Sequence, residues 1–149
     1  MSNQYIFIGL SILILSYFLF VKRRWKTVGL AFIISVFWVR FSGIYTYSDG
    51  MYMFLGVNLF TLISWTSGLT LFKELYDTKI LNPIGAVLLW VTGVLFLEWL
   101  GYHIMGIQLS SNYSGVFGTD ILHVPVWAHI YYLTIGPVFI VVTSKLGIK

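Results

Sequence analysis

The sequence predicts an all-α, polytopic membrane helix bundle of five transmembrane helices, with the N-terminus outside and the C-terminus cytoplasmic. Three observations lead there. Charged residues make up only 9% of the 149 positions, whereas a soluble domain carries about 25%. Hydrophobic residues reach 58% and mean hydropathy is +0.88. The polar residues that remain fall in short segments separating apolar stretches, each near the roughly 20 residues that cross about 30 Å of hydrocarbon.

The first helix is expected over about 4–21, ending at the cluster Lys22, Arg23, Arg24, Lys26. With no basic residue before it and four after, it reads as an uncleaved N-out anchor. The second is expected over about 28–45 and the third over about 51–72. A polar segment from Lys73 to Lys79 leads through Asn82-Pro83 into the fourth, about 84–107, and Pro83 suits a first helical turn. Residues 108–120, rich in Ser, Asn, Gly and Thr, read as an outer loop. The fifth helix is expected over about 121–142, with Gly136-Pro137 a break in its body. All five form a single transmembrane domain.

Charge placement sets the orientation. The segments after the first and third helices and the C-terminal tail share one side in this topology, and they hold eight of the nine basic residues. The positive-inside rule makes that side cytoplasmic and the chain a multi-pass protein of the cell membrane. Topology accounts for the net charge of +4 without nucleic acid as a partner. Absence of cysteine excludes disulfides, thiolate metal sites and thiol nucleophiles. Phosphate-cradling and dinucleotide-binding glycine motifs are also missing.

Two charges break the apolar pattern: Arg40, in the second stretch, and Glu98, in the fourth. An ionisable residue inside a membrane helix is costly and marks a functional site by default. At 1.5 Å per residue, Arg40 lies about 18 Å and Glu98 about 21 Å above the cytoplasmic boundary, while Asn58 and His129 lie about 10 and 12 Å below the outer one. The four are expected to share one layer, either as a polar pocket with Glu98 as acid or base and Arg40 setting its charge, or as a buried pair fixing helix register. Arg40, Glu98 and His129 are the candidate catalytic residues. Asn58, His103, Tyr113, His123, Trp38 and Trp99 are candidate ligand contacts, the tryptophans either lining a cavity for a long apolar ligand or simply packing.

Further polar residues gather at the outer surface, among them Asp49, Asn112 and Asp120. His103, Asp120, His123 and His129 contain metal-ligand chemistry, but they lack the tight spacing of a helical H-E-x-x-H site. His123 and His129 would also fall on opposite sides of one helix. The expectation is therefore no metal and no cofactor.

From Glu98 onward, the order Glu98, Gly101, His103, Gly106, Tyr113, Gly118, Leu122, Pro125 resembles polytopic membrane proteins of carotenoid biosynthesis. These are the bisanhydrobacterioruberin-hydratase-like family and, more distantly, the lycopene cyclase domain. The resemblance implies proton transfer to a polyene, with Glu98 as donor and without redox cofactors. The chain departs from those families in having fewer helices and no Pro-x-Glu-Glu/Asp motif. A chain so reduced would enclose its ligand with a partner or a second copy. Two functions follow as expectations: binding or transforming an isoprenoid or other long membrane lipid, or serving as a non-catalytic small subunit among other membrane subunits.

Overall fold

The computed structural model describes residues 4–47, 53–54, 56–111 and 113–148. It is mostly helical, with five helices. These are α1 (Gln4–Ser16), α2 (Trp25–Ser42), α3 (Leu59–Asp77), α4 (Pro83–Trp99) and α5 (Val126–Lys145). α1 and α4 each continue through one wider turn with i→i+5 bonding, over Tyr17–Val21 and Leu100–Ile104. Among the described residues, three helical segments are long and apolar enough to cross a membrane: Trp25–Ser42, Pro83–Ile104 and Val126–Lys145.

Local chemistry explains where the helix ends depart from the sequence expectations. α2 stops at Ser42 because Gly43 adopts φ 65°, a left-handed cap that glycine accepts without strain. The third helix starts at Leu59, not near 51. Ahead of it, β1 (Met53–Phe54) pairs with β2 (Val57–Asn58) in a short hairpin, and the Asn58 side chain accepts the Thr61 N–H at 3.0 Å as the N-cap. α4 starts where the cap and proline predict: Asn82 accepts the Gly85 N–H at 2.7 Å and Pro83 fills the first turn. The fifth helix is delayed to Val126 because the residues before it are held in another conformation by Glu98.

α3 is the hub of the bundle, packing against α1, α2 and α5, while α4 packs on α5. It buries Thr61, Thr66, Ser67 and Thr70. Hydroxyls of this kind suit an apolar interior only when bonded, and three of them bond back into their own helix: Thr66 to Leu62 O, Ser67 to Ser64 O and Thr70 to Thr66 O. The outer helices reverse the pattern of a soluble protein. α4 buries only Ala86 and Trp90, and Leu88, Phe41 and Ile130 are among many large apolar side chains left exposed.

α4 meets α5 through one close approach. The Trp90 indole donates to Tyr132 O at 2.9 Å, and a Cβ on Gly136 would lie 2.1 Å from the same ring. Gly136 is therefore a packing requirement. On the other flank, Tyr45 Oη gathers the Trp38 and Trp65 indole N–H groups at 2.5 and 3.0 Å and bonds Tyr132 Oη at 2.9 Å. This aromatic knot fastens α2, α3 and α5 together.

The two ends of the bundle differ. At one, Lys22 and Arg24 reach Glu74 at 3.3 and 2.9 Å, and Lys73 pairs with Asp77. The segment after the first helix and the end of the third thus share one end, as expected from charge placement. At the other, Tyr47 bridges Leu109, and the Ser110 N–H donates to Thr46 O at 2.7 Å, joining the segment after α2 to the loop after α4.

Candidate functional site

Glu98 sits in the last turn of α4 and aims its carboxylate at the chain entering α5. Oε2 accepts the Leu122 N–H at 2.7 Å, and Oε1 accepts the His123 N–H at 2.8 Å and contacts His123 Nδ1 at 3.2 Å. Leu122, fully buried, has φ 64°. Left-handed backbone at a non-glycine residue costs about 1–3 kcal/mol and persists only where its surroundings enforce it. The Glu98 carboxylate supplies that enforcement by capturing two successive N–H groups.

The other edge of the His123 ring faces Asp120, with Nε2 at 2.8 Å from Oδ1. Tyr102 stacks flat on the ring, centroids 3.6 Å apart and planes 7° from parallel. His103 completes the group, its Nε2 3.1 Å from Asp120 O and 3.5 Å from Asp120 Oδ2. The wide turn at Leu100–Ile104 contributes here. On a regular α-helix residues five apart lie about 140° from one another, whereas i→i+5 bonding brings His103 round towards the Glu98 side.

Below this polar group lies a cleft of about 540 Å³ between α1, α3 and α4. Leu10 and Ile14 of α1, Phe60, Trp65 and Leu71 of α3, and Gly93 and Leu97 of α4 line it, and Glu98, Tyr102 and His123 close its end. Within its wall, the Ser64 hydroxyl has no hydrogen-bond partner among the described residues. Tyr47 also lines it, and burial pushes that phenol above its ordinary range despite the opposing Thr61 bond, so it remains neutral. On the far side of Tyr102 and His123 is a smaller polar pocket of about 280 Å³, lined also by Tyr113, Ser114 and Asp120. These two rings are the partition between an apolar cleft and a polar mouth.

The four-residue layer expected from depth alone is not assembled around Glu98. Its oxygens are taken by backbone N–H groups and His123, and Arg40 is instead exposed in the last turn of α2, its guanidinium lying against Gly56. A long cationic side chain near a helix end extends to the surface more cheaply than it pairs inside. Asn58 is consumed as the α3 cap, and His129 bonds Val124 O at 3.1 Å. Trp38 stacks on Tyr131 in the aromatic knot, and Trp99 is half-exposed beside Phe96 and His103. Neither tryptophan is among the residues lining the cleft. Asp49 and Asn112 lie outside the described residues.

Of the candidates, the structure therefore brings together Glu98, His103 and His123, with Tyr113 at the edge of the polar pocket. Tyr102 and Gly93 were missed as site residues. Tyr102 had one available signal, its position beside His103, whereas Gly93 reads from sequence only as a packing glycine. No family model matches the chain, and no curated protein or solved structure matches it significantly. The chemistry of the site rests on its own geometry.

Proposed function

We propose that this chain is a multi-pass membrane protein of five spans that binds an isoprenoid or other long lipid in the cleft between α1, α3 and α4, its polar end at Glu98, Tyr102 and His123. One observation carries the reading: a mostly apolar cleft of about 540 Å³ is lined also by a part-buried carboxylate and a buried imidazole. Ligand sites typically measure about 300–1,000 Å³, mostly apolar with a few convergent polar groups. The polar end of the cleft fits a hydroxyl-bearing lipid, which the Tyr102 hydroxyl can orient by a hydrogen bond. Glu98 serves as the anchor of that end rather than as a proton donor, because each of its oxygens already accepts a hydrogen bond.

The N-out, C-in orientation goes with this reading. The basic end, with Lys22 and Arg24 around Glu74, faces the cytoplasm, and the Glu98 end faces outwards. Because the sequence has no native cysteine, single cysteines at Lys26 and Thr119 report the topology cleanly. Membrane-impermeant maleimide should label Thr119→Cys in intact cells and Lys26→Cys only after lysis.

The binding itself is tested by purifying the chain in mild detergent and identifying extracted lipids by mass spectrometry. One lipid class should be enriched over the bulk membrane, and Gly93→Leu should remove it. Gly93 lines the cleft and a Cβ there meets nothing within 4 Å, so a side chain at this position takes up cleft space. Lipid composition identical to the bulk membrane, or enrichment unaltered by Gly93→Leu, contradicts the proposal.

A further inference from the structure

We propose that His103, Asp120 and His123 form a binding site for a divalent transition-metal ion at the polar mouth, with Glu98 as the group that holds His123 in its ligating orientation. The ligand atoms of the three residues all lie within 4.8 Å of one another. Zinc bonds of about 2.0–2.2 Å in tetrahedral geometry place neighbouring donor atoms about 3.3–3.6 Å apart. The separations from Asp120 oxygens to the two Nε2 atoms, 2.8 Å for His123 and 3.5 Å for His103, lie around that spacing. Small movements of exposed side chains are enough to admit an ion.

The surroundings supply what ligation requires beyond the ligands. A metal-binding imidazole presents one nitrogen to the ion and donates the other N–H to a carboxylate or carbonyl, which fixes the tautomer and the ring plane. His123 has this arrangement: Nδ1 faces Glu98 Oε1 at 3.2 Å while Nε2 faces Asp120. Its ring is further immobilised by the parallel stack on Tyr102. A bare imidazolium bridge between two carboxylates would account for His123 but not for a second imidazole, His103, turned to the same Asp120.

The donor set defines the ion. Two imidazole nitrogens and one carboxylate, with no thiolate anywhere in the chain, suit Zn²⁺ or Fe²⁺ and leave coordination positions open. Those positions face the polar pocket bounded by Tyr113, Ser114 and Thr119, where water or a ligand oxygen can enter. The site stands on its own geometry and holds whether or not the cleft takes a lipid.

The test uses the full, tag-free chain in mild detergent, stripped with a chelator and dialysed against Zn²⁺ or Co²⁺. One equivalent of Zn²⁺ per chain is expected by elemental mass spectrometry, with Co²⁺ giving visible ligand-field bands. His103→Ala and Asp120→Asn, both at exposed positions, should abolish stoichiometric binding and the bands while the chain keeps its helical content. Glu98→Gln should weaken affinity roughly 10–100-fold, and His129→Gln should leave one equivalent. Absence of stoichiometric metal in the folded wild-type chain, or undiminished binding in His103→Ala and Asp120→Asn, overturns the proposal.

Discussion

Both ends of this bundle carry acids beside bases, yet they are built differently. At the basic end, Glu74 meets Lys22 and Arg24, whose cationic stems reach towards solvent, and Asp77 meets Lys73, which is buried. At the other end, Glu98 meets two backbone N–H groups and a histidine clamped by a stacked tyrosine. The arrangement around Glu74 is replaceable, because the part-exposed Lys22 and Arg24 can return to water when Glu74 is removed. The one around Glu98 is not, since Leu122 and His123 are buried and their N–H groups have nowhere else to turn. Charge at one end joins the segment after α1 to α3, and charge at the other holds the backbone of the candidate site.

Glu98→Ala should break the comparison most severely. It orphans two buried donors and releases the strained backbone at Leu122, with an expected loss of about 3 kcal/mol in detergent unfolding measurements. The matching change at the basic end, Glu74→Ala, should cost under about 1 kcal/mol. Equal losses would erase the distinction. Tyr102→Leu removes the stack on His123 and should cost about 1 kcal/mol, read most sensitively as a broadened His123 imidazole resonance. Lys22→Ala should change stability by no more than a few tenths of a kcal/mol. Raising salt from 0.1 to 1 M, which shortens the Debye length from about 10 to 3 Å, should remove what the Lys22, Arg24 and Glu74 cluster contributes and leave the Glu98 end unmoved.

Much of the helix pattern was legible because hydrophobicity and capping act locally. Asn82-Pro83 marked the start of α4 within its own four residues. The hairpin before α3 was not legible: its residues are apolar and read as helix until Asn58 is seen to cap Leu59 onwards. The same holds for the site. Glu98 stood out as a charge in an apolar run, but depth along a helix carries no information about direction, so Arg40, Asn58 and His129 were grouped with it although Arg40 turns to the surface and the other two bond nearer partners. His103, Asp120 and His123 were discounted for lacking one-helix spacing. They meet because a wide turn and a strained loop, neither visible as a motif, bring the end of α4 to the chain entering α5.

The central claim, a lipid-sized cleft ending at Glu98, is tested most directly by native mass spectrometry of the wild-type chain beside Gly68→Leu. Gly68 lines the cleft on α3 with nothing within 4 Å of an added Cβ. The wild type should retain one lipid adduct per chain as collisional activation strips the detergent, and Gly68→Leu should appear as the bare chain with its helical content intact. A wild-type chain that is bare under the same activation, or a variant carrying the same adduct in the same proportion, would contradict it.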